Sequence, residues 1–146
     1  MDEAFDRIRS VRSVRFRYIK NFHPELPYAQ WINYMDEMPT MKVWRKQAFE
    51  GKLNPVQMAF FARTKPNEEL YDLQNDPYEI KNLAADPAYS KELLRHRIAL
   101  EKWIVDTKDM GAIPEKELIA KGIVKDLLGS EYEARIGLHP KTSPVP

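Results

Sequence analysis

The stretch that decides the fold is residues 69–84, Glu-Leu-Tyr-Asp-Leu-Gln-Asn-Asp-Pro-Tyr-Glu-Ile-Lys-Asn-Leu-Ala. Its first five residues, 69–73, combine apolar and aromatic side chains with two acids and predict a β-strand. Asp76 then precedes Pro77, and Glu79 lies three positions after the aspartate, which is the order of residues at a capped helix start. The aspartate of such a start accepts hydrogen bonds from free backbone N–H groups. The stretch therefore predicts a strand followed by a single capped turn.

Two earlier segments predict further strands, and a later one predicts a long helix. Residues 15–20 alternate charged and aromatic side chains, which is typical of a half-buried strand, and would pair with a weaker run at 8–12 as an antiparallel hairpin. Residues 87–107 predict the helix, because apolar or aromatic positions recur at helical spacing. These positions are Tyr89, Leu93, His96, Leu100, Trp103 and Ile104.

The apolar stripe of the long helix must be buried, and the predicted strands supply a sheet against which it can pack. The predicted fold class is therefore α+β. We expect an antiparallel sheet of about four strands with the long helix across one face. Shorter helices are expected from Thr40 and from Asn54, which precedes proline in the order of a capping box. The predicted domain spans residues 1–110, and 111–146 form an extension that is expected to be partly flexible.

The composition argues against several classes of protein. The chain has 146 residues, with 23 basic and 22 acidic side chains and a net charge of +1, which is unlike a general nucleic-acid binder. No apolar run approaches the roughly 20 residues of a membrane-spanning helix, so neither nucleic acid nor a membrane is an expected partner. The acidic N-terminal residues are unlike a signal peptide. The compartment stays open, and a periplasmic or secreted parent protein is compatible with the sequence.

Basic side chains are concentrated near the N-terminus. Between residues 7 and 24 there are six basic residues and no acidic one. The candidates for an anion site or a substrate rim are Arg7, Arg9, Arg12, Arg15 and Arg17. Clustered guanidinium groups can bind phosphate or sulfate through paired hydrogen bonds. The alternative, which the sequence favours, is a solvated strand face or one that pairs with acids elsewhere in a larger protein.

Histidines and carboxylates show no catalytic or metal-binding pattern. The histidines are His23, His96 and His139, and no two are close in sequence. His96 falls on the apolar stripe of the predicted long helix, where a buried packing role is favoured. Asp76, Glu79 and Asp86 fit the role of capping residues better than the role of acid–base groups or calcium ligands. We therefore predict no catalytic residue, no metal and no cofactor in this chain.

Residues 69–84 resemble a signature of the type I sulfatase family, E-L-Y-D-L-x-x-D-P-x-E-x-x-N-L. The matching residues are Glu69, Leu70, Tyr71, Asp72, Leu73, Asp76, Pro77, Glu79, Asn82 and Leu83. Residues 8–19 are similar to the family's R-x-V-R-x-x-R-Y-K-Y-I hairpin, and the loop and helices that follow resemble its sulfamidase-like and bacterial arylsulfatase-like branch. The resemblance covers residues 1–114. It implies a C-terminal sulfatase subdomain in which the signature residues are structural.

The resemblance also identifies what this chain lacks. Sulfatases of this family attack the sulfate ester with a formylglycine hydrate, which is made from Cys or Ser in a C/S-x-P/A-x-R motif. This chain has no cysteine, and none of its serines is followed by that motif. By resemblance, calcium and formylglycine belong only to the family's large N-terminal catalytic domain. The chain is therefore interpreted as an excised or truncated subdomain whose partner is that catalytic domain.

Three functions of different classes follow as hypotheses. The favoured one is a non-catalytic subdomain that packs on a sulfatase catalytic domain and shapes its substrate cleft, the parent being a sulfuric ester hydrolase. The alternative is a stand-alone binding module for sulfated glycans or other anions, whose binding would weaken with salt. The third, a hydrolase of unknown mechanism, is disfavoured by the missing nucleophile.

A subdomain without its partner is expected to expose apolar side chains. The aromatic candidates are Phe22, Tyr28, Trp31, Tyr34, Trp44, Phe60 and Phe61. Because monomers rarely tolerate a large contiguous apolar patch, we expect the isolated chain to form a two-fold homodimer.

The isolated chain is predicted to show no sulfatase turnover, even with calcium and a formylglycine-generating enzyme present. The reason is chemical, because no side chain in a suitable motif can become the aldehyde hydrate. Hydrolysis of an aryl sulfate is the measurement. Turnover that keeps a constant specific activity through repeated purification would contradict the prediction.

Overall fold

The computed structural model describes residues 4–124, which contain three strands and five α-helices. The strands are β1 (Ile8–Arg12), β2 (Phe16–Asn21) and β3 (Glu68–Asp72). The helices are α1 (Asn33–Glu37), α2 (Pro39–Phe49), α3 (Pro55–Met58), α4 (Ser90–Asp106) and α5 (Glu115–Ala120). The predicted α+β class is confirmed. None of the helices in this part of the chain is long and apolar enough to cross a membrane.

The described residues divide into two compact units. The sheet unit comprises residues 6–28 and 62–109 and holds the three strands and α4. The helical unit comprises residues 4–5, 29–61 and 110–124 and holds the other four helices. Most of the predicted extension, from residue 125 onward, lies outside the described residues, as does His139.

The sheet is antiparallel, with the strand order β1-β2-β3. Ile8 lies opposite Asn21 in the first pair of strands, and Phe16 lies opposite Asp72 in the second. The prediction of about four strands was wrong for the described residues, which form three. One physical reason is that a turn, and not another strand, covers the outer edge of β3.

Helix α4 packs against the sheet, as the apolar stripe predicts. Phe16, Tyr18 and Leu70 from the strands form one buried cluster with Leu83 and Leu100. Burying a large apolar side chain contributes about 1.5–3 kcal/mol to stability, so this cluster is the main apolar contribution in the sheet unit. The helix itself begins at Ser90 after a 3₁₀ turn over Pro87–Tyr89, slightly later than predicted.

The predicted single turn is present, since the Glu79 N–H donates to the Asp76 carbonyl at 3.2 Å, but its capping differs from the prediction. The Asp76 carboxylate accepts a hydrogen bond from the Lys81 N–H at 2.7 Å, so it does satisfy a backbone donor, but no helix follows it. Glu79 instead has a φ of 56°, a left-handed conformation that is uncommon for a non-glycine residue. This conformation reverses the chain and brings Asn82 and Leu83 back against β3.

The helical unit has a small core of its own. Met41 and Phe61 are buried in it, and Trp44 stacks on Phe60 with ring centroids 4.8 Å apart. The predicted capping box is present, since the Asn54 side chain accepts a hydrogen bond from the backbone N–H three residues later at 2.9 Å. Its presence explains why a helix as short as α3 forms at this point of the chain.

The aromatic side chains expected to be exposed have different fates. Tyr34 is exposed, with 67% of its surface accessible, whereas Phe61 is buried and the other five are half-buried. The expectation was wrong for Phe61, because the short helices of this unit turn Trp44, Phe60 and Phe61 onto one another.

Replacing Leu100 by alanine should lower the free energy of unfolding by about 2–5 kcal/mol, because the cluster under α4 loses buried methyl groups and is left with a cavity. Chemical denaturation followed by circular dichroism measures the change. Leu94→Ala on the exposed side of the same helix is the matched control and should change stability by about 0.5 kcal/mol or less. Equal losses in the two variants would contradict the packing described for α4.

Candidate functional site

The candidate site consists of two adjoining parts of the sheet unit. One is the arginine hairpin, residues 7–17, which carries the five predicted arginines on and beside β1 and β2. The other is the signature segment, residues 69–83, which begins in β3. Because β2 lies between β1 and β3, the sheet brings the two parts within reach of each other.

Arg7 and Arg9 both bind the carboxylate of Asp109, just beyond the end of α4. Arg7 donates to its Oδ2 at 2.9 Å, and Arg9 donates to Oδ1 at 2.7 Å and to Oδ2 at 3.2 Å. The Arg7 guanidinium also lies over the Phe22 ring, 3.9 Å from its centroid, where a cation–π attraction adds to the ion pair. These contacts attach the end of the long helix to the edge strand.

Arg15 and Arg17 bind two acids of the signature segment. Arg15 forms a bidentate pair with Asp72, with distances of 2.9 Å from Nε to Oδ1 and 2.6 Å from Nη2 to Oδ2. These hydrogen bonds hold the pKa of Asp72 well below its usual range. Arg17 donates to Glu79 at 2.9 Å, which gives the left-handed Glu79 a fixed partner.

Arg12 is the exception among the five. Its side chain is exposed and makes no ion pair or hydrogen bond with any residue between 4 and 124. It lies opposite Arg17 in the register of β1 and β2. The structure therefore does not bring the predicted arginines together around one anion: four of them bind three carboxylates of the chain itself.

Glu69, the first signature residue, is a buried acceptor for three donors. Its Oε1 accepts from Asn21 Nδ2 at 2.6 Å and from the Tyr28 hydroxyl, and its Oε2 accepts from the Tyr71 hydroxyl at 2.5 Å. Burial, and then hydrogen bonding to Glu69, raises the pKa of both phenols. The hydroxyls consequently stay protonated at neutral pH and act as donors, which joins β2, β3 and the loop after β2 through one acid.

Asn82 and Leu83, at the end of the signature, cover the outer edge of β3. The Asn82 side chain accepts from the Leu70 N–H at 3.0 Å and donates to the Glu68 carbonyl at 2.9 Å. The Leu83 N–H donates to the Leu70 carbonyl at 2.8 Å, and the Leu83 side chain enters the core. This pair of residues thus replaces a neighbouring strand, which is a structural role.

The other signature residues are also accounted for by the fold. Leu70, Tyr71 and Asp72 are buried in β3, Leu73 is half-buried just after it, and Pro77 is exposed in the turn.

Two ion pairs were missed by the sequence analysis. Glu68 accepts two hydrogen bonds from Arg97 on α4, at 2.8 and 2.6 Å, and one from the Tyr18 hydroxyl at 2.5 Å. The Arg97 hydrogen bonds lower the pKa of Glu68. The fully buried Lys65 side chain bonds Asp6. No spacing rule could have found these pairs, since at least 29 positions separate their members.

Guanidinium groups bind the carboxylates of Asp72 and Glu79 in the candidate site, phenol hydroxyls donate to Glu69, and the Lys81 N–H donates to Asp76. No three His, Asp or Glu side chains of residues 4–124 are arranged to hold a metal ion. His96 is buried, as predicted, and its ring nitrogens bond the Glu92 carbonyl at 2.8 Å and the Ser13 hydroxyl at 3.1 Å.

Three characterised proteins are similar to this chain in sequence. An "Ulvan-active sulfatase" of Formosa agariphila is 44% identical over 120 residues, which are 82% of this chain and 20% of the relative. A second "Ulvan-active sulfatase" of that organism is 33% identical over 56% of this chain and 14% of its own length. A "Delta 4,5-hexuronate-2-O-sulfatase" of Bacteroides thetaiotaomicron is 57% identical over 29% of this chain and 9% of its own length.

The chain spans about a fifth of the length of the first of these relatives and less of the other two. No protein-family model matches the chain. The similarity confirms the resemblance to sulfatases, while the assignment to the sulfamidase-like branch stays a prediction.

Stability should fall on acidification partly through Asp72. Its pKa is lower in the folded chain than the value of about 3.9 in an unfolded one, so the unfolded state binds more protons as the pH drops. The contribution is therefore present above about pH 5 and is lost as the pH falls towards the folded-state pKa. Asp72→Asn should show lower stability at neutral pH and a flatter loss between pH 5 and 2.

Urea unfolding at several pH values measures this dependence. Asp106→Asn is the matched control, because Asp106 is an exposed acid at the end of α4 whose ion pair within residues 4–124 is with Lys102, one turn earlier in the helix. This variant should lose stability with falling pH as steeply as the unsubstituted chain does. An unchanged slope in Asp72→Asn would contradict the role given to the Arg15–Asp72 pair.

Proposed function

We propose that this chain, whose sequence belongs to the sulfatases, serves as a non-catalytic C-terminal subdomain of a sulfatase. In this proposal it packs on the catalytic domain of its parent and shapes one rim of the substrate cleft. Calcium and formylglycine act in that domain and not in this chain. The parent is then a sulfuric ester hydrolase.

The observation that carries the proposal is how the signature residues are used. Glu69, Asp72, Glu79 and Asn82 each bind another part of the chain by ion pairs or hydrogen bonds. Side chains that are bound within the fold in this way can position a surface, but none of these four is free to attack a sulfate ester. The absence of cysteine supports the same conclusion.

The names of the relatives suggest the kind of substrate. Ulvan-active and hexuronate sulfatases act, by their names, on sulfated carbohydrate. We propose that the parent of this chain acts on a sulfated glycan and that the exposed Arg12 is the arginine available to its rim. The exposed Tyr34 contributes to the apolar surface that is buried in the parent and drives homodimer formation by the isolated chain.

The alternative, a stand-alone module for sulfated glycans, is supported by fewer observations. Such a module needs several unpaired cations on one face to bind a polyanion. In the arginine hairpin, Arg7, Arg9, Arg15 and Arg17 are paired with carboxylates. An anion would have to compete with acids that are already in place at 2.6–2.9 Å.

A chimera tests the proposed role. In the first ulvan-active sulfatase, this chain replaces the segment of 120 residues to which it is similar. If the chain is a structural subdomain, the chimera should fold and hydrolyse 4-nitrophenyl sulfate. Glu69→Ala in the chimera should lower the amount of active enzyme at least about tenfold, because three buried donors lose their acceptor.

Gln74→Ala is the matched control in the same segment, because Gln74 is exposed and should leave activity unchanged. A folded chimera without turnover, together with salt-sensitive binding of a sulfated polysaccharide by the isolated chain, would overturn the proposal in favour of the binding module.

A further inference from the structure

An open groove of about 470 Å³ lies in the helical unit, between one face of α2 and the residues that lead into α3. Val43, Trp44 and Leu53 supply its apolar walls, and the side chains of Gln47 and Gln57 line it as well. None of the signature residues and none of the five candidate arginines lines it. Ligand-binding pockets commonly have volumes of this size. The groove is therefore a second candidate site with a chemistry of its own.

The apolar walls of the groove are held in position and face water. Phe60 and Phe61 pack on the Trp44 ring, with ring centroids at 4.8 and 5.1 Å, which holds the indole in place. Val43 keeps 56% of its surface accessible although it is aliphatic, and Leu53 is half-buried. A ligand that covers these side chains gains apolar burial without first having to order the walls.

Two side-chain amides give the groove its polar chemistry. Gln57 Oε1 accepts from the Asn54 N–H at 3.0 Å as one half of the capping box, which leaves the Gln57 NH₂ group as the other end of that amide. Neither this NH₂ group nor the exposed side chain of Gln47 bonds any residue between 4 and 124. Amide NH₂ groups are hydrogen-bond donors. The matching ligand is therefore apolar along its length and offers carbonyl oxygens that have no other partner.

One segment of this chain has that chemistry. Residues 139–146, His-Pro-Lys-Thr-Ser-Pro-Val-Pro, lie outside the described residues and hold three of the 11 prolines, and no other eight consecutive residues hold three. Proline has a fixed φ and favours an extended conformation in the residue before it, which concerns six of these eight positions. A polyproline II conformation has no internal hydrogen bonds, so its carbonyls can accept from a partner.

The proline segment, residues 139–146, is attached closely enough to reach the groove. Helix α5 belongs to the same helical unit as α2, and the described chain continues from it to residue 124. About fifteen further positions lead to residue 139 and can span about 50 Å. A unit of roughly fifty residues has a radius of gyration of only about 10 Å. The attachment gives the segment an effective concentration on the order of millimolar at the groove.

We propose that the groove is a recognition site for proline-rich chain and that its occupant is the proline segment of this same chain. Aromatic-lined grooves bind such segments because the extended conformation loses little entropy on docking. The proline rings pack on Trp44 and Val43, and the carbonyls of the segment accept from the amides of Gln47 and Gln57. The groove is then covered by this chain itself, without a contribution from the rest of the parent.

A spin label on the proline segment tests the contact in the full chain. The sequence has no cysteine, so Lys141→Cys carries a single nitroxide. In the ¹⁵N-labelled protein, the amide signals of α2 and of residues 53–57 should lose most of their intensity while the nitroxide is active. They should recover when ascorbate reduces the label.

Variants on both sides of the contact identify what the signal loss depends on. Pro140→Ser, Pro144→Ser and Pro146→Ser, combined in the labelled chain, remove the proline rings and should restore the intensity of α2. Val43→Glu puts a charge on the exposed wall of the groove and should restore it too. Phe49→Glu is the matched control, because Phe49 is exposed on the same helix outside the groove and the signal loss should persist.

The outcomes are exclusive. A loss of α2 intensity that disappears without the prolines and in Val43→Glu, and persists in Phe49→Glu, supports the proposal. No loss in α2, a loss that persists without the prolines or in a folded Val43→Glu variant, or equal recovery in Val43→Glu and Phe49→Glu overturns it. The proline variant decides the question even if Val43→Glu fails to fold.

A mixed sample distinguishes the segment of the same molecule from that of a second copy. It combines ¹⁵N-labelled chain without nitroxide and spin-labelled chain at natural isotope abundance. The signals of α2 should keep their intensity, because the segment of each molecule covers its own groove. A loss of α2 intensity in this sample as large as in the singly labelled protein would assign the groove to a second copy and overturn the intramolecular contact.

Discussion

The buried carboxylate of Glu69 is the constraint on which the sheet unit depends. A carboxylate that leaves water needs donors around it, and removing one partner of such a group costs several kcal/mol. The donors to Glu69 come from β2, from β3 itself and from the loop after β2. One acid therefore connects β2, β3 and the loop that carries Tyr28.

The arginines of the hairpin also connect separate parts of the chain, in their case through ion pairs. Arg7 and Arg9 connect β1 to Asp109 at the end of α4, and Arg15 and Arg17 connect the hairpin to the signature turn. Asp109 and Asp72 are largely shielded from water, with side chains 8% and 4% exposed, so these pairs are screened less than a surface pair such as Lys102–Asp106. For this basic hairpin the sequence favoured a solvated face or pairing with acids over an anion site, and four of its five arginines are paired with acids of the same chain.

The two edges of the sheet differ in how far their backbone groups are bound. The signature turn uses the side chain of Asn82 as a substitute strand, which protects one edge from unwanted pairing. The opposite edge has no such cover at Ser10 and Arg12 in the described chain. A relative of which this chain spans a fifth has much more polypeptide to place around a unit of this kind.

The sequence by itself determined the elements of local origin. Period-two alternation predicted β2, helical spacing predicted α4 and the burial of His96, and the capping box at Asn54 predicted the start of α3, because each depends on residues within a few positions of one another. The resemblance to sulfatases came mainly from one continuous stretch, residues 69–84, with support from the hairpin at 8–19. Tertiary structure alone decided which carboxylate each arginine binds, that three strands form in the described chain, and that Glu79 adopts a left-handed conformation instead of capping a helix. Those outcomes depend on groups such as Arg9 and Asp109, which lie 100 positions apart and meet only after the chain has folded.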